Sequence, residues 1–371
     1  MPMKYYKLGD TGPEVSEICL GTMTWGSQMT DEAAAHAMCD AYVAAGGNFI
    51  DTAEMYPVPP KPEWLGSTER YLGNWLAANP GVRKKVYIAS KVCGPAPRDF
   101  VNKGRDTATT EMPNLDRANI RAACESICKR LQTDYIDILY LHWPSRPAPL
   151  FGASMYKASM EKNHPFFGDN PYETVPIEES IKAMDELIKE GKIHHWAVSN
   201  ETSFGVCSIV EACKRLGVPK PVCIQNDFSL VDRRFTTELA ETCAPWNHNI
   251  SGCPYGILSG GTLTGKYNKG AQPEGARHTW DPKFQPRYLS ARVLAAAQKY
   301  ERLAKSQGLT PAVLAMAWAN QCFFNQSIII GANNMDQLNE CLSVVDVTLN
   351  EFTMEAIEDI HAEDKNPQIV H

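Results

Sequence analysis

The sequence predicts an α/β fold: a (β/α)8 TIM barrel with an N-terminal hairpin and extended βα loops, built as a single domain over residues 1–371. Short apolar runs alternate with helical patterns along nearly the whole chain, as in a parallel sheet covered by helices. Asp51, Lys91, His142, Asn200, Gln225 and Tyr255, together with Gly331, each fall at or just after the end of an apolar run. In a barrel such positions ring one mouth, whereas an open sheet spreads them along an edge. An open dinucleotide-binding sheet would also usually carry G-x-G-x-x-G after its first strand. Here Cys19-Leu20 is followed by Gly21-Thr22-Met23-Thr24-Trp25-Gly26.

The elements follow in order. The N-terminal segment can form a short hairpin. A helix runs from Asp31 to Ala45 and stops at Gly46-Gly47, and a strand from Asn48 ends at Asp51. Helix 67–78 precedes Pro80 and Gly81, and strand 85–90 leads to Lys91. Asp116 can cap a helix reaching Leu131, followed by strand 135–141. Helix 178–189 is stopped by Gly191 and precedes strand 195–198. Helix 203–216 closes at Gly217 and Pro219, before strand 221–225. A short helix over 235–243, a weak strand over 249–254, helices over 290–306 and 311–320, strand 327–330 and a last helix over 335–342 complete the pattern. Two segments break the rhythm, 93–115 and 144–176. The second carries Phe151, Tyr156, Phe166, Phe167 and Tyr172 and is read as a substrate lid.

Composition narrows the function. Hydrophobic residues make up 44% and charged residues 21%, with a formal net charge of -7. No block of five or six basic residues marks a nucleic-acid partner, and no apolar run reaches the roughly 18 residues of a membrane span. The start lacks the apolar core of a secretory leader. The twelve cysteines are scattered, without C-x-x-C, which fits buried thiols in a reducing cytoplasm and no metal site.

Asp51, Tyr56, Lys91 and His142 form a set with one chemistry. Adding hydride to a carbonyl builds negative charge on its oxygen, so a proton donor is needed. Tyrosine has a pKa of about 10. A nearby lysine ammonium favours phenolate and pulls that value down. A carboxylate can hold the buried ammonium, and a histidine can orient the carbonyl. The set contains no nucleophile–base pair, which points away from hydrolysis.

At these residues the sequence resembles the aldo-keto reductase superfamily. Asp51-Thr52-Ala53-Glu54-Met55-Tyr56 is similar to its D-x-A-x-x-Y signature, Ser90-Lys91 to its lysine motif and Leu141-His142-Trp143-Pro144 to its histidine motif. Gly21-Thr22-Met23 matches the glycine-threonine segment of the first strand. The likeness runs from about Lys7 to His361. It is strongest to the bacterial Tas-like, NADP(H)-dependent branch, in 54–60, 131–135, 198–202 and 331–338.

The resemblance implies reduction of aldehydes or ketones, with Tyr56 as general acid, tuned by Lys91 and Asp51, and with His142 positioning the carbonyl. It also implies an NADP(H) site. Ser199, Asn200 and Gln225 correspond to the carboxamide-holding set, and Tyr255 to an aromatic stacked on nicotinamide. Gly256, Leu258, Gly260, Leu263 and Lys266 lie on the pyrophosphate clasp, with Lys266 and Arg277 facing the 2′-phosphate. Gly331, Asn333, Gln337 and Glu340 open and line the last helix, whose N-terminus can favour an anion. Cys341 departs from the usual adenine-contacting asparagine.

Two rival readings remain visible in the residues. Gly260 to Tyr267 reads G-x-x-x-x-G-K followed by tyrosine, but a nucleoside-triphosphate loop needs Ser or Thr there for magnesium. The second is a cofactor-binding regulatory or redox-sensing subunit of the same fold, like the channel β-subunits of this superfamily. Small-molecule carbonyl substrates, with no nucleic acid and no membrane, are the expected partners.

Overall fold

The computed structural model describes residues 2–107, 110–151, 153, 155–161 and 174–369. Strands β1 (Tyr5–Lys7) and β2 (Glu14–Ser16) form the expected antiparallel hairpin. The parallel strands are β3 (Ile18–Gly21), β4 (Phe49–Asp51), β5 (Tyr87–Val92), β6 (Ile136–Leu141), β7 (Ile193–Ser199), β8 (Cys223–Gln225), β9 (Ser251–Gly252) and β10 (Ile328–Gly331). They form one sheet in the order β10-β3-β4-β5-β6-β7-β8-β9. The ring is sealed between β9 and the approach to β10. Gln326 N–H donates to Gly252 O and Ile329 N–H to Pro254 O, both at 2.9 Å. Gly252 is required there, because a Cβ would stand 2.5 Å from Phe324 O. Eight parallel strands curled onto themselves give the (β/α)8 barrel that the alternation predicted.

The core is layered by the two-residue period of the strands. In β6, Leu139 and Leu141 face the helices, while Ile138 and Tyr140 face the barrel axis with Cys19, Phe49, Ala89, Ala197, Cys223 and Cys253. Leu8 and Val15 of the hairpin join this inner cluster, so the hairpin plugs the end opposite the C-terminal mouth.

The outer helices begin where the sequence offers caps. In α1 (Glu32–Ala44) Asp31 accepts from Ala33 and Ala34 N–H, and α2 (Ser67–Ala78) follows β4. The 93–115 segment contains a short helix, α3 (Asp99–Lys103). Asp116 accepts from Asn119 N–H to start α4 (Arg117–Leu131). Next come α5 (Ile177–Lys189), α6 (Ser203–Leu216), capped by Thr202, and α7 (Glu238–Cys243). The remaining helices are α8 (Arg277–Trp280), α9 (Ala291–Ser306), α10 (Pro311–Asn320), α11 (Met335–Leu342) and α12 (Glu351–Glu363). Thus α11 is not the last helix: α12, capped by Asn350, packs on α9 outside the barrel. No described helix is long and apolar enough to cross a membrane.

Candidate active site

Parallel pairing delivers the four expected catalytic side chains to one place. Asp51 ends β4, Lys91 lies near the end of β5, and His142 follows β6, with Asp51 registered on Ala89 and Lys91 on Tyr140. Tyr56 sits on the loop after β4, in a turn closed by its N–H to Ala53 O at 3.0 Å. The Lys91 ammonium donates to Asp51 Oδ2 at 2.6 Å, to Thr52 O at 2.7 Å and to the Tyr56 hydroxyl at 3.4 Å. The Tyr56 and His142 rings meet edge to face, with centroids 5.9 Å apart. Lys91 is wholly buried and stands behind Asp51 and Tyr56, whereas Asp51, Tyr56 and His142 line the cavity.

Burial raises the Tyr56 hydroxyl above the ordinary tyrosine range, and the Lys91 ammonium pulls downward without prevailing. The sequence argument considered only the ammonium; desolvation of phenolate in the closed site is the larger effect. The phenol therefore keeps its proton at rest. Burial alone would weaken the Lys91 ammonium, but Asp51 and Tyr56 outweigh it and hold lysine above its usual range. Burial, with the fields of Lys91 and Arg98, pushes His142 well below its usual range, so its imidazole is neutral. A neutral ring can donate one hydrogen bond but is a poor source of a proton.

A cavity of about 680 Å³ opens from this cluster toward β3, β10 and the loop after β9. The expected binding residues Gly21, Thr22, Met23, Ser199, Asn200, Gln225, Tyr255, Gly256, Leu258, Gly260, Lys266, Arg277, Gly331, Asn333, Gln337 and Glu340 all line it. Leu263 does not; it packs into the core and anchors the clasp from behind. Cys341 is also on the wall.

The polar residues on the two sides of the cavity are linked. Gln225 Nε2 donates to Asp51 Oδ1 at 2.9 Å, and Ser199 Oγ donates to Gln225 O at 2.6 Å. Asn200 donates to His142 O at 2.9 Å and accepts from the Tyr255 hydroxyl at 2.7 Å. Farther along, Gly260 and Gly261 turn the clasp at φ values of 65° and 98°, a region that favours glycine. Lys266 and Arg277 share this end of the cavity, both half-buried. Neither forms an ion pair with a carboxylate among the described residues, and Arg277 Nε makes no hydrogen bond there. Burial lowers both cations below their usual ranges; the field of Arg277 adds to the lowering of Lys266, and that of Arg287 to the lowering of Arg277.

Sequence reading missed several wall residues, among them Arg98, Phe284, Arg287 and Tyr288. Arg287 is held by Asp227 at 3.1 Å, and Tyr288 donates to the same carboxylate. Arg287 and Tyr288 arrive from a single 3-10 turn, Pro286–Leu289, and Arg98 and Phe284 from loops, all too short for a period to give direction. Arg98, close behind Gly94-Pro95-Ala96-Pro97, was detectable only as a charge beside a rigid loop. Of the expected lid, Phe151 lines the cavity and Tyr156 is exposed. Phe166, Phe167 and Tyr172 lie outside the described residues.

The model of the aldo/keto reductase family matches residues 17–362. Over 359 residues the chain is 41% identical to Protein tas of Escherichia coli (strain K12), which covers 97% of this chain and 98% of that protein. It is 32% identical to an aldo-keto reductase of Babesia bovis, over 69% of this chain and 88% of the relative. It is also 29% identical to a probable voltage-gated potassium channel subunit beta of Arabidopsis thaliana, over 99% of each.

Proposed function

The chain belongs to the aldo/keto reductase family, a family of oxidoreductases, and from that premise we propose that it reduces aldehyde or ketone carbonyls to alcohols with NADPH. The observation that carries this reading is the Lys91 ammonium, bound to Asp51 at 2.6 Å and to the Tyr56 hydroxyl at 3.4 Å, beneath a cavity shared with neutral His142. NADPH, when bound, supplies the hydride. Tyr56 Oη gives its proton to the carbonyl oxygen as charge develops there, and the nearby ammonium stabilises the phenolate left behind. Neutral His142 donates a hydrogen bond that fixes the carbonyl. The Asp51 carboxylate keeps Lys91 charged throughout.

The residues present fit a phosphate-bearing dinucleotide. Two half-buried cations at the clasp, without carboxylate ion pairs among the described residues, suit a phosphate dianion. Ser199, Asn200 and Gln225 offer the amide and hydroxyl groups that would hold a carboxamide. The twelve cysteines are all free thiols, which supports a cytoplasmic location. The test is the fall in NADPH absorbance with a panel of aldehydes, ketones and quinones; no turnover of any member would remove the proposal.

The likeness to a plant protein named as a channel β-subunit favours a second reading, a cofactor-binding regulatory subunit. A stable membrane partner that co-purifies with a catalytically silent chain would select it.

A further inference from the structure

Between Asp51 at the end of β4 and Tyr56 lie four residues, and one of them, Glu54, is a buried carboxylate that the proton-transfer scheme does not use. Glu54 Oε1 accepts from Arg105 Nη2 at 2.6 Å and from the Cys93 N–H, and Glu54 Oε2 accepts from Arg105 Nε at 3.0 Å. Arg105 is buried as well, and its Nη1 donates to Asn119 Oδ1, on α4, at 2.6 Å. Neither Glu54 nor Arg105 lines the cavity.

The pair fastens together the two strand ends that carry the proton-donating cluster. The Glu54 N–H donates to Lys91 O at 3.3 Å, so main chain and side chain of Glu54 are both tied to the exit of β5. The contact between Lys91 and Tyr56 needs this help. At 3.4 Å it lies at the long limit of a hydrogen bond, too weak to place the ring by itself. Next to Glu54, Met55 packs into a small core with Cys93, Val101 and Trp143. Buried ion pairs often stabilise a fold no more than apolar residues of similar volume. What a two-pronged guanidinium–carboxylate bond adds is fixed direction and distance, here two residues before the proton donor.

We infer that the Glu54–Arg105 pair positions the proton donor: it holds the 52–56 turn against the end of β5 and so sets the Tyr56 hydroxyl against the Lys91 ammonium. The inference rests on the carbonyl-reducing reading above. Glu54 and Arg105 are positioning residues that act through Tyr56.

The test is a double-mutant cycle. Glu54→Gln should lower kcat by about tenfold or more, because small misplacements of a reacting group are costly in rate, and Arg105→Lys should do so to a smaller degree. NADPH affinity should hold. In a Tyr56→Phe background the same Glu54→Gln change should cost less than about twofold in residual turnover, since the group it positions is gone. An equal loss in both backgrounds is a general structural defect and overturns the inference. If Glu54→Gln does not fold, Glu54→Gln combined with Arg105→Met leaves no unpaired buried ion and takes its place in the cycle.

A second measurement needs no turnover. With fluorotyrosine in place of tyrosine, the ¹⁹F resonance of residue 56 is the one missing from Tyr56→Phe. Asp51, Lys91, His142, Tyr255 and Arg277, the ionisable groups around this hydroxyl, are kept in every variant. Loss of the Glu54 charge by its field alone would ease ionisation of residue 56. Titration at a higher pH in Glu54→Gln than in the wild type therefore reports a hydroxyl moved away from the ammonium. Titration at the same or a lower pH overturns the inference. If no carbonyl is reduced, the catalytic reading fails, and this titration alone decides the placement.

Discussion

Gln225 donates its side-chain amide to the Asp51 carboxylate across 2.9 Å, from β8 to β4, strands that stand opposite each other in the ring. Lys91 takes the other carboxylate oxygen. Asp51 thus joins the Lys91–Tyr56 cluster directly to Gln225, one of the residues expected to hold the nicotinamide. Replacing it by asparagine leaves a fully buried ammonium without its counter-charge. Asp51→Asn should lose about 3–5 kcal/mol of stability, as is usual when one half of a buried pair is removed. Denaturant unfolding of the variant and the wild type would measure the difference, and equal midpoints would show that the pair does not carry this weight.

Tyr56→Phe keeps the ring and its edge contact with His142 but removes the acidic proton. Turnover should fall by a factor on the order of 10² or more, while NADPH affinity stays nearly intact. Steady-state kinetics and a cofactor titration check both halves. Turnover at the wild-type level would give the proton to another group.

Cofactor choice should depend on Lys266 and Arg277. Each is half-buried, so loss of either should weaken NADPH binding by roughly tenfold or more, toward the low end of the range for desolvated charge pairs. NADH, which lacks the 2′-phosphate, should change much less. Dissociation constants for both cofactors with wild type, Lys266→Ala and Arg277→Ala decide it. Equal weakening of NADPH and NADH would mean that these cations do not read the phosphate.

The clasp should also be acid-sensitive. His278 packs between Tyr267 and Tyr288, and a hydrogen bond with the Phe284 backbone only partly offsets the loss of its hydration. Burial, then the field of Arg277, lowers its pKa to about 4. In the unfolded chain the ring takes a proton near 6.5. The unfolded state therefore binds more protons between these values, and stability falls as pH drops from about 6.5 toward 4. His278→Phe should lose less stability over that window in thermal melts run at a series of pH values. A loss as large as that of the wild type would exclude His278 as a source.

Much of the fold is legible because period and punctuation agree. Asp31, Asp116 and Thr202 cap helices where the apolar pattern begins, and β6 alternates between axis-facing and helix-facing residues from Ile138 to Leu141. The mouth residues are readable for the same reason, since a strand end in a barrel has one destination. Lys91 shows the limit of that rule. It ends an apolar run as Asp51 does, yet its long side chain turns inward and never reaches the cavity. Leu263 shows another: a clasp needs a residue that holds it down as well as residues that face the ligand. Arg98, Arg287 and Tyr288 come from segments without a period, and only tertiary contacts aim them. Helix α12 follows the last strand and packs outside the barrel, so the strand–helix alternation carries no sign of it.

The seam at Gly252 bears on how the chain is made. The last barrel strand, β10, has β3 on one side and the β9 segment on the other, neighbours separated by more than two hundred residues of sequence. During synthesis those two edges emerge long before the strand that covers them. Until residue 331 has left the ribosome, the nascent sheet carries two unpaired borders, each a template for wrong pairing. Chains cut short before that point should therefore tend to clump, whereas those ending just beyond it can close.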